Sequence, residues 1–101
     1  MEIKKRQLVW TGRAEKNMYS LYKYISKDSP QNAEKVLKDI IVAAEKSPRD
    51  PEYYAPDKYK RNNDGSYRAF EKHKYRIAYR VNSKIIRILF VKHTKRLPKE
   101  Y

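Results

Sequence analysis

The sequence predicts an α+β domain with the element order β-α-α-β-β-β, an antiparallel helical hairpin packed on a mostly antiparallel sheet. Three observations carry that prediction. Two apolar stripes with a 3.6-residue period follow one another between residues 12 and 46. Only the short polar break "KDSPQ" separates them, which is the spacing of a helical hairpin. Beyond residue 66 the apolar period changes to two, in three short runs.

In chain order, "EIKKRQLVW" reads as the first strand, opened by Ile3 and closed by the apolar Leu8, Val9 and Trp10. Thr11 is placed to cap a helix running from Gly12 to Ser26. Its apolar positions Ala14, Met18, Leu21, Tyr22 and Ile25 share one face. Ser29 caps a second helix and Pro30 takes its first position, where a missing N–H costs nothing. Ala33, Val36, Leu37, Ile40, Ile41 and Ala44 continue that stripe to about Lys46. Residues 47–66, "SPRDPEYYAPDKYKRNNDGS", hold three prolines and an NNDG turn signal. A loop of that length in a small domain is usually functional or mobile.

The three period-two runs are "YRAFEK", "KYRIAYRV" and "KIIRILFVKH". Asn82-Ser83 reads as a two-residue hairpin connection between the second and third. In the middle run Tyr75, Ile77, Tyr79 and Val81 face one way, and Arg76, Ala78 and Arg80 the other. The third run is apolar on both faces except at Arg87, the pattern of a central strand. No internal repeat or linker divides the chain, so residues 1–101 are expected to form one domain.

Composition narrows the chemistry. There is no cysteine, hence no disulfide framework and no thiolate metal site, which suits a reducing cytoplasm. No apolar run approaches a membrane span, and the first residues lack the apolar stretch of a signal peptide, so a soluble cytoplasmic protein is expected. With only Gly12 and Gly65, neither a P-loop nor a dinucleotide fingerprint can form. His73 and His93 cannot build a structural zinc site without cysteine, and no carboxylate cluster offers a two-metal site. No metal and no cofactor is expected.

The formal charge of +13 is unevenly placed. Residues 1–50 carry 11 Lys/Arg against 7 Asp/Glu, a net of +4, while residues 51–101 carry 14 against 5, a net of +9. Such a field attracts polyanions, either nucleic acid or an acidic protein. In the second half Arg68, Arg76, Arg80, Lys92, His93, Lys95 and Arg96 interleave with Tyr67, Tyr75, Tyr79 and Tyr101. Arginines beside aromatic rings suit phosphate contacts and base stacking. They also suit metal-free RNA cleavage, in which a base takes the 2′-OH proton, an acid protonates the leaving oxygen, and cations hold the phosphoryl charge. The plainer reading of each residue stands beside this one. Arg76 and Arg80 are then the solvent face of a sheet and His93 is structural. The tyrosines become amphipathic packing, Tyr101 a frayed end and Glu71 a paired surface carboxylate.

The strings "VWTGRAEKNMYSLYKYI", "SPQNAEKV", "YRAFEKHKYRIAYRV" and "HTKRLPKEY" together resemble the RelE/ParE superfamily of toxins from type II toxin–antitoxin systems. The resemblance covers nearly the whole chain. Its most specific part is the "YRIAYRV" strand followed by a basic, tyrosine-ended tail. It implies a small cytoplasmic toxin neutralised by a cognate acidic antitoxin whose extended segment wraps around it, with no membrane involved. The RelE-like branch cleaves messenger RNA on the ribosome without a metal, and the ParE-like branch poisons DNA gyrase.

By the same resemblance Arg76 matches the arginine that holds the scissile phosphate in the nucleases, and Arg68 a basic residue of the preceding strand. Lys95 or Arg96 matches the basic position of the tail. Tyr101 matches a tyrosine that stacks on a base or aids proton transfer, and His93 lies near another subgroup's general acid. Arg80 and Lys92 join Lys95 and Arg96 as expected RNA contacts. Phe70 stands where lysine-rich nucleases carry a second lysine, leaving Glu71, His93 or Tyr101 as the base. The long capped hairpin resembles ParE-like members more closely. The sequence reading nevertheless favours the mRNA endonuclease, with the gyrase poison as its alternative. It also expects Arg76→Ala to silence such a toxin while leaving the fold intact, as for an exposed strand residue.

Overall fold

All six elements appear in the predicted order: β1 (Gln7–Trp10), α1 (Gly12–Ser26), α2 (Pro30–Ala44), β2 (Tyr67–Lys72), β3 (Tyr75–Val81) and β4 (Ile85–His93). The computed structural model describes residues 6–48, 50–96 and 100–101, so Ile3, expected to open the first strand, lies outside the described residues. Both helix starts are made by the expected side chains. Thr11 Oγ1 accepts the Ala14 amide at 3.1 Å, and Ser29 Oγ accepts the Asn32 amide at 3.1 Å. The second helix stops at Ala44, short of Lys46. There the Ser47 amide and hydroxyl both turn back onto the Ala44 carbonyl, at 3.1 and 2.6 Å. Ser47 precedes Pro48, which disfavours helical backbone at that position.

The sheet order is β1-β4-β3-β2, with β1 parallel to β4 and the other pairs antiparallel. β4 therefore lies inside the sheet, as its two-sided apolar pattern predicted. A register shift places Ala78 opposite Phe90 but Tyr79 opposite Ile88, leaving Leu89 as an extra residue. That bulge changes the parity of the strand. Ile86, Ile88 and Val91 all reach the core under the helices, whereas Leu89 and Phe90 join a second cluster on the other face. α1 covers the bulge. Thr11 Oγ1 donates to the Leu89 carbonyl at 3.1 Å, and Asn17 Oδ1 accepts the Val91 amide at 3.0 Å, so the backbone beyond the end of β1 is not left unpaired.

Between hairpin and sheet the core comprises Met18, Leu21, Val36, Ile40, Tyr75, Ile77, Tyr79, Ile86, Ile88 and Val91, among others. Ile40, Ile77, Ile86 and Ile88 are fully buried, each contributing on the order of 1.5–3 kcal/mol by burial. On the opposite face lies the small second cluster of Ala69, Ala78 and Phe90, with Leu89 and Tyr101 against it.

The described part of the segment from residue 50 to residue 66 is pinned at several points. Tyr54 stacks on Phe70 at 4.3 Å and gives its hydroxyl to the Ala43 carbonyl at 2.8 Å. The buried Tyr79 hydroxyl donates to the Pro51 carbonyl at 2.9 Å. Backbone bonds then run from Ala69 to the Ala55 carbonyl and from Asp57 to the Tyr67 carbonyl, at 3.2 and 2.8 Å. The loop is thus tied to the outer edge of β2, and this attachment carries Asp57 onto the sheet.

The connection between β3 and β4 is longer than the expected Asn82-Ser83 pair. It runs through Lys84, because Asn82 Oδ1 accepts the Lys84 and Ile85 amides at 2.8 and 2.6 Å and holds a wider turn. The tight turn is instead His73-Lys74, with both residues at positive φ (51° and 68°) between the paired Lys72 and Tyr75.

Candidate functional site

The open face of the sheet, away from the helices, is organised around Asp57. Only 2 % of this residue is exposed. Its Oδ1 accepts Arg76 Nη2 at 2.7 Å and the Tyr59 amide at 3.0 Å, and its Oδ2 accepts the Tyr101 hydroxyl at 2.6 Å. Arg76 projects from the same side of β3 as Ala78 and is itself only 8 % exposed. Its Nη1 donates to Glu71 Oε2 at 3.1 Å, and its guanidinium lies 4.8 Å from the centre of the Tyr59 ring. Loop, strand and tail thus converge on one buried carboxylate.

Asp57 stays charged although burial pushes its carboxyl up. The Tyr101 hydroxyl, Arg76 and the Tyr59 amide outweigh that effect and hold it below the ordinary aspartate value. Tyr101 moves the other way. Burial, and then the hydrogen bond to the Asp57 carboxylate, push its phenol well above the usual tyrosine value. As placed, Tyr101 is a hydrogen-bond donor and a poor base.

Around this pair a row of rings carries cations. Lys60 Nζ lies 4.7 Å from the Tyr67 ring centre and 5.3 Å from that of Tyr101, and Arg80 lies 4.8 Å from Tyr67. Arg13 and Lys92 both lie 4.9 Å from the Phe90 centre. Tyr101 meets Phe90 and Tyr67 edge-on, at 5.5 and 5.9 Å. Its backbone is held as well. The Tyr101 amide donates to the Tyr59 carbonyl at 3.1 Å, and the Tyr101 carbonyl oxygen accepts the Arg61 amide at 2.7 Å and Lys60 Nζ at 3.1 Å.

The residues singled out in the sequence do not all meet here. Arg76, Arg80, Lys92 and Tyr101 share the open face. Arg68 does not: it pairs with the core residue Tyr79, and its guanidinium donates to the Tyr54 and Gly65 carbonyls at 2.8 and 3.1 Å, fastening the loop. His93 pairs with Tyr75 on the helix side and packs edge-on against it at 5.1 Å. Its Nδ1 accepts the Lys95 amide at 3.0 Å, so the neutral ring carries its proton on Nε2. The segment holding Lys95 and Arg96 begins beside the His73-Lys74 turn, where the Thr94 amide bonds the Lys74 carbonyl at 2.7 Å; both side chains are exposed. Glu71 is an exposed carboxylate paired with Arg76.

One expectation is corrected outright. Arg76 is not an exposed strand residue. Replacing it by alanine strands Asp57 without its cation, which costs about 3 kcal/mol, the low end for a broken buried pair. The low end applies because Asp57 keeps the Tyr59 amide and the Tyr101 hydroxyl. Asp57 and Tyr59 are the residues that sequence reasoning missed. Neither stands in a motif, and their partners lie far along the chain. Among the described residues no group of three or more His, Cys, Asp or Glu could hold a metal ion, and no helix is long and apolar enough to cross a membrane.

The family model of the ParE toxin of type II toxin–antitoxin systems, parDE, matches residues 8–98. No curated protein matches the chain. Among solved structures, the chromosomal ParDE toxin–antitoxin system from P. aeruginosa is similar with a TM-score of 0.69 and 22% identity, over 88% of this chain and 96% of that one. The toxin–antitoxin complex RelBE2 from Mycobacterium tuberculosis gives 0.63 and 18%, over 91% and 94%. The YoeB dimer from Staphylococcus aureus gives 0.56 and 19%, over 89% and 98%. At these identities the structural likeness is one of fold, a helical hairpin on a mostly antiparallel sheet. The family model spans nearly the whole chain, which therefore belongs to the ParE toxins of type II toxin–antitoxin systems, within the RelE/ParE superfamily.

Proposed function

We propose that this toxin acts by binding its target, as a ParE-like poison of DNA gyrase, and not by cutting RNA. The observation that carries this reading is the state of Arg76. Both of its Nη groups are engaged, and two carboxylates, Asp57 and Glu71, surround the one guanidinium. A phosphate arriving there meets net negative charge and must displace a buried partner. Arg68 and His93 lie across the sheet from Arg76 and supply no second cation or acid beside it. Tyr101 gives its proton to Asp57 in a hydrogen bond and is poorly suited to take another. The match to the ParE family model agrees with this reading. In the cell the toxin is held inactive in the cytoplasm by a cognate acidic antitoxin drawn to its positive field.

A second reading, ribosome-dependent cleavage of messenger RNA, has one observation in its favour. The cations laid over Tyr67, Phe90 and Tyr101 form a surface suited to phosphates and stacked bases. It requires Arg76 to leave its carboxylates. Two assays on antitoxin-free protein separate the readings: DNA supercoiling by purified gyrase, and primer extension on an mRNA translated in a purified system. Loss of supercoiling with trapped, broken DNA, and an intact mRNA, is the expected pair of results. Reproducible mRNA breaks that need ribosomes, with gyrase unaffected, would move the toxin to the nuclease branch.

A further inference from the structure

Arg76 Nε is a buried donor that no described group accepts. Nη2, on the same edge of the guanidinium, is bonded to Asp57 Oδ1 at 2.7 Å. A carboxylate facing that edge ordinarily takes both N–H groups, one on each oxygen. Here the second oxygen is already taken, because Asp57 Oδ2 accepts the Tyr101 hydroxyl at 2.6 Å. The tail tyrosine and the Arg76 Nε–H therefore compete for the same oxygen. A buried donor left unmade is costly, so an oxygen freed by Tyr101 has a partner waiting for it.

We propose that Asp57 is a positioning residue with two pairing states. In one, Tyr101 is docked and Asp57 holds Arg76 by a single prong. In the other, Tyr101 is released and Asp57 turns its freed oxygen to Arg76 Nε, closing a two-pronged pair. Release is a swing of the Tyr101 side chain: the hydroxyl bond lost is replaced by one gained at Arg76 Nε, the backbone bonds of Tyr101 to Tyr59, Arg61 and Lys60 stay made, and the buried carboxylate never loses its cation. The ring can then leave without unfolding the sheet. What changes is the surface. Docked, the Tyr101 ring covers Ala69, Ala78 and Phe90 on the open face. Released, it uncovers that apolar patch, with Lys92 and Arg80 still attached to the strands beside it. Tyr101 is thus a strap over the open face, set by Asp57, whichever target the toxin proves to have.

The test follows the Arg76 Nε–H resonance in nitrogen-labelled full-length protein, identified by its disappearance in Arg76→Lys. Tyr101→Phe keeps the ring and removes only the competing hydroxyl. It should move that resonance downfield and slow its exchange with water by about tenfold or more, the worth of one charge-assisted hydrogen bond. Tyr101→Ala, which also removes the ring, should give the same signature with the rest of the sheet's spectrum native. An unchanged Nε–H in both variants overturns the proposal, because Asp57 then does not re-pair. Loss of the native spectrum in both also overturns it, because release would then unfold the sheet.

Discussion

Asp57 is almost wholly buried yet charged, and the sign of its effect on stability follows from its neighbours. Three hydrogen bonds and the Arg76 charge outweigh the burial that pushes its carboxyl up, and hold it below the value of about 3.9 expected in the unfolded chain. A depressed folded value makes the contribution fully present above that pH. The contribution is lost as pH falls through about 4 toward the folded value. Asp39 and Asp64 are also lowered, Asp39 first by the His73 hydrogen bond and Asp64 first by that from the Ser66 hydroxyl, but Asp64 is exposed and Asp39 lies in a partly exposed surface pair, where such interactions count for little. Thermal midpoints recorded from neutral pH into acid should therefore fall steeply for the wild type below about pH 4. Asp57→Asn should start lower at neutral pH and descend with a shallower slope. Parallel acid limbs in the two proteins would assign the loss to other carboxylates.

At the scale of elements the two helix caps differ in what they hold. Ser29 satisfies one amide of its own helix, that of Asn32. Thr11 satisfies the Ala14 amide and also donates to the Leu89 carbonyl at the bulge of β4, joining the hairpin to the sheet. Removing Ser29 Oγ should cost about 1 kcal/mol, an ordinary cap. Removing Thr11 Oγ1 should cost about 2 kcal/mol, because a carbonyl in the sheet loses its donor too. Urea denaturation of Ser29→Ala and Thr11→Ala measures the difference, and equal losses would mean that the bond to Leu89 contributes nothing. Arg68 works on the same scale. It ties β2 to the preceding loop through two carbonyls, which keeps Asp57 within reach of Arg76.

For the whole molecule the decisive quantity is charge, +13 on 101 residues, with most of the excess in the half that supplies three of the four strands. Several of those cations rest over aromatic rings on one face. A field of one sign steers an oppositely charged partner and is screened within about 10 Å at ordinary salt. Association with the acidic antitoxin proposed above should therefore slow markedly as ionic strength rises, while dissociation changes little. Stopped-flow binding across a salt series tests this. An association rate indifferent to salt would show that apolar contact, and not the positive field, governs the encounter.

Much of this was legible in the sequence. Helix starts, helix faces and the alternation of β3 depend on residues within about four positions of one another, and "WTGRAEKNM", "SPQNAEKV" and "YRIAYRV" carry those relations directly. The strings that resemble the toxin superfamily span the same elements. The Asp57 centre depends on side chains that meet over long separations: Asp57 with Arg76, 19 residues on, and with Tyr101, 44 residues on. No periodicity records such a meeting. Nor does the sequence mark the Leu89 bulge, which sends Phe90 to one face and Val91 to the other. By itself, then, the sequence determined the elements, their order and the family, because local backbone preference and apolar period act between near neighbours. Only the tertiary structure decided which face each cation occupies and that Arg76 is bound to carboxylates, because sheet register and a folded-back loop join residues that no local rule connects.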